Sequence, residues 1–417
     1  MLRSLAFLLA LSGPIFGQVT ADTLNQAFNF PLFPNGTALW EEDAEVVAKR
    51  IAWPRESQTA ESSSYRYYPP ADERILGVRP FSLALYGDKG KVSALSLVFA
   101  NKGDVAALIE NDDSASRSRQ LLDAAKLQRD YKKFIRRDAA TLEAKLTELL
   151  GPPKLDTFGN SRDTREKVKR WNWQGHSFLL AAPRDEYVAL RLMPQAVADG
   201  SAIQRTPAAE MREKLAKHIE RRPNGDVVLR DLPMVDQGPK GYCVPATWER
   251  VLRYLGIPAD MYVLAMSGNT AFGGGTSVEE ISAGVTNLVQ RYGRRLANES
   301  GRIDLRKVAR HIDRGLPLMW SMYSLDELNR ELTTRSQQRQ GMADAKAWSK
   351  QLDPARKAAR QLQGRREGAH MCMIIGYNPE TEELAISDSW GPEYAERWIT
   401  LEEANAISQG KWVIIEL

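Results

Sequence analysis

Two runs joined by a turn constrain the fold of this chain more than any other feature. Residues 370–377 form an apolar run, residues 383–388 centre on Leu-Ala-Ile, and the sequence Asn-Pro-Glu-Thr at 378–381 is typical of a turn. Such runs are expected to pair as a buried antiparallel hairpin. Because paired residues in a hairpin have a constant index sum, the turn predicts that His370 lies opposite or beside Asp388.

Turn-forming residues precede Cys243 in the segment 236–248, and a helical run follows it. Pro245 suits a first helical turn, so the pattern predicts Cys243 at or just before the N-terminus of a helix. The helix dipole at this position favours the thiolate form, which attacks carbonyl carbons. The backbone N–H of Cys243 and the side-chain amide of Gln237 are then the natural donors to the oxyanion that develops in acyl transfer.

These residues predict a site for nucleophilic catalysis. Cys243 is the predicted nucleophile and His370 the general base, while Asp388 accepts from one imidazole nitrogen so that the other faces the thiol. A lone cysteine or histidine is more often a core residue, but their occurrence together with Gln237 and the hairpin register favours function. The predicted reaction is attack on an amide carbonyl, a thioester intermediate and release to water. No metal or organic cofactor is predicted.

A glutamine six residues before a cysteine, a later histidine, and an acidic residue followed by Ser-Trp-Gly at 389–391 together resemble the papain-like cysteine peptidases. Asp388 and the motif around Gln237 and Cys243 are closest to the bacteriocin-processing (double-glycine leader) peptidase branch. The resemblance covers about residues 226–417. It implies an α+β fold in which a helix bearing the cysteine packs on an antiparallel sheet, with the four residues in the roles given above.

Two positions depart from these relatives: Val244 stands where they usually have glycine, and Tyr242 where the processing peptidases often have aspartate. The double-glycine leader specificity is therefore not carried over, and the predicted partner is a peptide or protein substrate. Two alternatives stay open. The same triad supports transglutaminase-like acyl transfer or deamidation, and the domain could also be a catalytically silent peptide-binding module.

A basic segment directly precedes His370. In the segment 324–367, the nine basic side chains from position 335 onward outnumber the two acidic ones that lie among them, Asp344 and Asp353: Arg335, Arg339, Lys346, Lys350, Arg356, Lys357, Arg360, Arg365 and Arg366. A solvated helical excursion is typical of such a run, and the alternative is a basic lid that selects acidic peptides or an anionic surface. The whole chain has 57 basic and 53 acidic residues, so its net charge of +4 does not indicate an anionic partner, and no nucleic-acid partner is predicted.

The N-terminus has the pattern of a secretory signal. Arg3 precedes the apolar run 5–11, and small residues follow up to position 21, so residues 1–21 are predicted to be a signal peptide. The run is too short to span a bilayer, and no later segment is apolar enough, so the mature chain is predicted to be exported, periplasmic or secreted, without a transmembrane segment. The pattern does not predict an oligomeric state.

At 417 residues the chain exceeds what one hydrophobic core usually serves, so two domains are expected. Residues 22–194 contain helical spacing at 39–51, a predicted hairpin at 81–99, a long helical pattern at 117–150 and three later strand patterns, which together predict a separate α+β accessory domain. Residues 195–225 are the predicted linker with a helix, and residues 226–417 the papain-like domain. The accessory domain is interpreted as an exosite or scaffold, with an inhibitory prodomain as the alternative.

Cys243 and Cys372 are the only cysteines, so an exported chain of this composition lacks a disulfide framework. Cys372 shares a strand face with His370 by period two. It is interpreted as a small buried hydrophobic residue, and the alternative is a redox pair with Cys243. The glycine-rich segment 272–276 lacks a P-loop lysine and is predicted to enter a helix near the cleft.

Overall fold

The computed structural model of the protein describes residues 19–34, 38–104, 117–159, 161–162, 164–200 and 205–417. Within these residues the chain forms two antiparallel sheets of eight strands each, one in the N-terminal half (residues 19–200) and one in the C-terminal half (residues 205–417). The predicted signal peptide falls almost entirely on residues 1–18, outside the described residues. No helix in the described part of the chain has the length and apolar character needed to cross a membrane.

The first sheet has the order β1-β2-β3-β4-β8-β7-β6-β5. Its strands are β1 (Arg55–Gln58), β2 (Ser62–Tyr67), β3 (Ser82–Asp88), β4 (Lys91–Asn101), β5 (Lys154–Phe158), β6 (Glu166–Trp173), β7 (His176–Ala181) and β8 (Tyr187–Pro194). The β3–β4 hairpin confirms the predicted pairing around residues 87–90. Every neighbouring pair in this sheet is antiparallel, so short turns suffice for most of its connections.

The second sheet has the order β11-β16-β12-β13-β10-β9, with β14 also paired to β13 and β15 paired to β14. Its strands are β9 (Ile219–Arg221), β10 (Val227–Leu229), β11 (Arg295–Ser300), β12 (Leu318–Tyr323), β13 (Ala369–Asn378), β14 (Glu383–Ser387), β15 (Arg397–Thr400) and β16 (Ser408–Glu416). Strand β9 lies within the segment 195–225 that the sequence predicts as a linker, so this segment also contributes an edge strand. The domain boundaries themselves stay a prediction.

Helices flank both sheets. Their bounds are Ala21–Phe28, Ala44–Arg50, Arg117–Leu150, Gln195–Asp199, Ala208–Lys217, Cys243–Tyr254, Met261–Ser267, Val278–Arg291, Leu305–Ile312, Asp326–Arg339, Ala345–Gln351, Asp353–Leu362 and Leu401–Ile407, with 3-10 turns at Leu39–Glu41 and Pro392–Tyr394. The long helical pattern at 117–150 is one helix. The predicted helix at 39–51 is wrong in its first turns, because Asp43 accepts hydrogen bonds from the backbone N–H groups of residues 45 and 46 and so caps a helix that begins at Ala44.

Strands β13 and β14 form the predicted antiparallel hairpin, with one change of register. A bulge between Ile374 and Gly376 adds one residue to β13, which the constant-sum argument does not foresee. Extending the register beyond the end of β14 by one residue sets Asp388 opposite Cys372. Asp388 is therefore a diagonal neighbour of His370, within reach of its side chain, rather than its direct partner.

The two sheets share a packed boundary. Strand β4 alternates its side chains, so that Leu97 and Phe99 lie in the core beneath the N-terminal helices while Val98 faces the C-terminal half. The buried cluster at this boundary comprises Val98, Val168, Leu179, Ala181, Tyr187, Ala189, Met193, Val235, Tyr242, Ala246, Met261, Tyr262, Val263 and Ala265. Because this cluster includes Tyr242 and Ala246, the first sheet packs directly against the beginning of the helix that bears Cys243.

The basic segment folds into the helices at 326–339, 345–351 and 353–362. Several of its basic side chains form ion pairs with carboxylates of the protein. The ion pairs are Arg335 with Glu403, Arg339 with Asp226 and Glu383, Arg356 with Asp353, and Arg365 with Glu327 and Glu367. The side chain of Arg339 is only 3% exposed, and those of both its carboxylate partners are fully buried. The segment is thus tied to the second sheet, which differs from a purely solvated excursion.

Replacement of Arg339 tests how much this anchoring stabilises the fold. Arg339→Met removes the nearest cation from two buried carboxylates, Asp226 and Glu383, so the free energy of unfolding should fall by about 3–5 kcal/mol. Lys346→Met is the matched control, because Lys346 is an exposed cation of the same segment, and its effect should stay within about 0.5 kcal/mol. Urea unfolding followed by circular dichroism measures both. Equal, small effects of the two substitutions would contradict the anchoring role.

Candidate active site

Cys243 is the first residue of the helix Cys243–Tyr254, as the sequence predicts. Its side chain is almost buried, with 9% of the residue exposed. The backbone N–H groups of Met371 and Val244 act to lower the pKa of its thiol. The helix is pinned to β13 where the hydroxyl of Thr247 donates to the carbonyl oxygen of Met371 over 3.1 Å. The position of the thiol is therefore determined by both its own helix and the neighbouring strand.

His370 lies one residue into β13 and links the thiol to a carboxylate. Its Nε2 donates to Oδ1 of Asp388 over 2.9 Å, and the same ring interacts with Cys243, so that the pKa of the thiol is lowered and that of the imidazole is raised. Because Nε2 is engaged by the carboxylate, Nδ1 is the nitrogen left to face the sulfur. The structure thus brings three of the predicted site residues together in one row.

Asp388 has a second cationic partner that the sequence analysis missed. Arg397, on β15, donates from Nη2 to Oδ2 of Asp388 over 2.6 Å. Arg250, from the cysteine-bearing helix, donates from Nη1 to the backbone oxygen of Asp388 over 2.8 Å and from Nη2 to the hydroxyl of Ser387 over 2.6 Å. Nothing in the spacing of Arg250 or Arg397 signals these roles, because both arise from strand and helix packing.

The charges in this row are set by burial and by the hydrogen bonds. Burial acts to raise the pKa of Cys243, but the hydrogen bond and positive charge of His370 outweigh it, so the pKa of the thiol lies below its usual value. Burial alone would lower the pKa of His370, yet hydrogen bonds to Asp388 and Cys243 raise it to about 9. The pKa of Asp388 is lowered, because its hydrogen bond to His370 and the charge of Arg397 outweigh the effect of burial. These shifts both favour a thiolate beside an imidazolium over a neutral thiol beside a neutral imidazole.

Trp390 covers the imidazole. The two rings are stacked, with their centroids 4.6 Å apart and their planes at 29°. The Ser-Trp-Gly sequence contributes to the papain-like resemblance, and the structure adds the contact that gives the tryptophan a physical role. The indole limits the rotation of His370 and holds the ring in the plane of its hydrogen bond to Asp388.

Gln237 lies in the loop before the cysteine and is buried. Its side-chain Nε2 donates to the carbonyl oxygen of Lys240 over 2.9 Å, and its backbone N–H donates to the carbonyl oxygen of Ser389 over 2.9 Å. One N–H of the amide is thereby occupied, and the second remains for another acceptor. Its role in an oxyanion hole stays a prediction.

Cys372 is fully buried on β13, and burial raises its pKa well above the usual value for a thiol. Both cysteines are free. A buried thiol with a raised pKa is a poor nucleophile, which agrees with the interpretation of Cys372 as a small hydrophobic residue.

The glycine-rich segment 272–276 lies beside the cysteine loop, as the sequence predicts. Gly241 and Gly274 form a parallel bridge, and the backbone N–H of Gly275 donates to the carbonyl oxygen of Gly241 over 3.0 Å. A Cβ atom on Gly274, whose φ is +112°, would lie 2.5 Å from the Cα of Gly241. Only glycine permits this approach. Ser277 then caps the following helix, Val278–Arg291, by accepting from the backbone N–H of residue 280.

Across the described residues, no group of three or more His, Cys, Asp or Glu side chains is arranged to hold a metal ion. A thiol at a helix N-terminus, beside an imidazole that a carboxylate binds, is an arrangement that nucleophilic thiol chemistry uses.

Comparison with known proteins agrees with such chemistry. Residues 229–416 match the model of the Peptidase_C39 like family, and this range contains all four predicted site residues. The match supports a C39-like cysteine peptidase family, and it does not reach the N-terminal half. The bacteriocin-processing branch stays a prediction. No curated protein matches the chain.

The thiolate–imidazolium pair predicts a characteristic pH dependence of alkylation. Iodoacetamide should modify Cys243 with a half-maximal rate at a pH below about 8.5, the usual thiol value, because only the thiolate reacts. In His370→Ala the hydrogen bond and charge are lost while burial persists, so the midpoint should move upward. At pH 6, where an ordinary thiol is less than about 1% ionised, the rate should fall at least about tenfold.

Site-resolved mass spectrometry across a pH series measures these rates. Cys372→Ala is the control and should react like the unsubstituted protein, because the thiol it removes is buried and protonated. A wild-type midpoint at or above 8.5, or an unchanged rate in His370→Ala, would show that the pair does not form.

Proposed function

We propose that the protein is an exported cysteine peptidase that cleaves amide bonds with Cys243 as nucleophile, His370 as general base and acid, and Asp388 as the orienting carboxylate. The observation that carries the proposal is the row in which His370 Nε2 lies 2.9 Å from Oδ1 of Asp388 while the same ring lowers the pKa of the Cys243 thiol. A structural cysteine would gain nothing from an adjacent imidazolium. Such a pair instead keeps a nucleophile ionised at neutral pH.

The proposed reaction proceeds in two acyl transfers. The thiolate of Cys243 attacks the carbonyl carbon, the new C–S bond forms, and the carbonyl π electrons move to oxygen. Collapse of this intermediate expels the amine, which takes a proton from the imidazolium of His370 and leaves a thioester. Water, giving a proton to His370, then attacks the thioester and releases the acid, which restores the thiolate.

The oxyanion formed in each step requires donors, and Gln237 is proposed as one of them. Its amide is oriented by the carbonyl oxygen of Lys240 and has one N–H remaining, and the backbone N–H of Cys243 at the helix N-terminus is the proposed second donor. Removal of one such donor typically costs about 10²–10³ in kcat.

The proposal includes the organisation of the chain. Residues 1–21 act as the export signal, residues 22–194 as an accessory domain, residues 195–225 as a linker and residues 226–417 as the peptidase domain. The substrate is a peptide or protein. Most arginines of the basic segment 324–367 bind carboxylates of the protein itself. A preference for acidic peptides would therefore depend on exposed cations such as Lys357 and Arg360.

Substitutions at the site test the reaction. Peptide cleavage, profiled by mass spectrometry on a proteome-derived peptide library, should be abolished in Cys243→Ala and should fall by about 10³–10⁴ in Asp388→Asn, which leaves His370 without its carboxylate. Gln237→Ala should lower kcat by about 10²–10³ while leaving alkylation of Cys243 unchanged, since alkylation forms no oxyanion. Cleavage that persists in Cys243→Ala would exclude the mechanism.

The acceptor of the acyl group distinguishes hydrolysis from transfer. Peptide cleavage in water, with an added amine such as glycine ethyl ester giving only minor product, supports the peptidase. Predominant amide formation with the amine would favour the transglutaminase-like alternative on the same residues.

A further inference from the structure

The loop before the cysteine, residues 236–242, is held by side chains of the N-terminal half. The hydroxyl of Tyr68 donates to the carbonyl oxygen of Asp236 over 2.7 Å, and the backbone N–H of Asp236 donates to Oε1 of Glu56 over 2.7 Å. Glu56 is itself buried and paired with Arg66. The first residue of the loop is therefore fixed on both its polar backbone groups by the other half of the molecule.

Lys240, in the same loop, is the second point of attachment. Its side chain is completely buried, and Nζ lies 3.1 Å from Oδ1 of Asp104. The other carboxylate oxygen of Asp104 accepts from the side-chain amide of Asn101, which orients it. Because an ammonium ion buried without a partner costs several kcal/mol, this pair strongly determines where Lys240 lies.

Aromatic rings complete the surroundings of Lys240. The rings of Tyr68, Tyr262 and Tyr242 have centroids 4.9, 5.5 and 5.9 Å from Nζ. The backbone of the N-terminal half approaches closely here, because a Cβ atom on Gly103 would lie 2.6 Å from the ring of Tyr242. The ammonium is thus enclosed between a carboxylate of one half and ring faces from both halves.

Lys240 is directly connected to Gln237. The carbonyl oxygen of Lys240 accepts one N–H of the Gln237 amide over 2.9 Å. Since both N–H bonds of a planar amide have fixed directions, this contact sets the direction of the remaining N–H. A shift of Lys240 would therefore move the amide of Gln237. Asp104 can thus influence Gln237 through Lys240, although the two residues are far apart in the sequence.

We propose that Asp104 is a positioning residue for acyl transfer, which through its ion pair with Lys240 holds the amide of Gln237 in the geometry that receives the oxyanion. The N-terminal half is accordingly an integral part of the active site rather than a removable inhibitor. This inference rests on the proposed function, in which Gln237 donates to the oxyanion, and it adds the contribution of the N-terminal half to that role.

Two small probes separate this role from general stability. Acylation of Cys243 by p-nitrophenyl acetate forms an oxyanion and releases a burst of p-nitrophenolate, whereas alkylation by iodoacetamide requires only the thiolate. In Asp104→Asn the acylation rate should fall about tenfold to hundredfold, because the donor is displaced, while alkylation stays within about twofold. The ratio of the two rates is the measured quantity.

Glu166→Gln is the matched control. It also removes the charge of a buried carboxylate in the N-terminal half, one that binds Arg191 and Tyr187 and has no contact with the loop. In Glu166→Gln the ratio of the acylation rate to the alkylation rate should equal that of the unsubstituted protein. Tyr68→Phe is a milder variant that removes one hydrogen bond to the loop and should lower the ratio several-fold, so the test does not depend on the folding of Asp104→Asn.

A double-mutant cycle connects Asp104 to Lys240. If the two act as one unit, Lys240→Met combined with Asp104→Asn should lower the ratio little further than either alone, whereas independent roles would give multiplied effects. An unchanged ratio in Asp104→Asn and Tyr68→Phe, or a parallel loss of alkylation, would overturn the inference. Absence of both a burst and enhanced alkylation in the unsubstituted protein would instead overturn the proposed function.

Discussion

The ion pairs of the Asp388 carboxylate are the interactions on which the arrangement of the candidate site depends. This carboxylate is fully buried, and a buried anion is tolerated only when cations and hydrogen bonds compensate its lost hydration. His370 binds one oxygen and Arg397 the other. These partners come from β13 and β15, the two strands that pair with β14, so the anion joins both strands just beyond the end of β14.

Arg250 extends this network to the helix that bears the cysteine. Besides the backbone of Asp388, it donates to the carbonyl oxygen of Pro233 over 2.9 Å and thereby holds the segment that leads into the loop. The cysteine, its loop and the hairpin are consequently not positioned independently. A single buried cluster of charges relates the positions of Cys243 and His370, and Trp390 stacks on the His370 ring.

The two halves of the chain meet at this same place. The boundary cluster contains Tyr242 and Ala246, which flank the cysteine, and the polar contacts of Glu56, Tyr68 and Asp104 reach the loop before it. The match to the Peptidase_C39 like family begins only at residue 229, so the residues that hold the loop from the other side lie outside it. In physical terms the site extends beyond the part of the chain that the family describes.

Several features of the fold follow from local sequence. The helix that starts at Cys243, the β3–β4 hairpin and the long helix at 117–150 are predicted by turn residues and by periodicity, since these depend on neighbours in the chain. Two features of the structure depart from these local patterns. Asp43 interrupts the helix predicted at 39–51, because it caps a helix that begins only at Ala44. A bulge in β13 shifts its pairing with β14 by one residue.

By itself the sequence determined which chemistry is available: one thiol with turn residues before it and a helix after it, and a hairpin that brings an imidazole near a carboxylate. Only the tertiary structure decided the surroundings that govern that chemistry. Arg397, Arg250 and Lys240 carry no local signal, because a buried cation is recognised by the distant carboxylates and carbonyl groups it meets. Such long-range compensation of buried charge depends on how the sheets and helices pack, and it is therefore visible only in three dimensions.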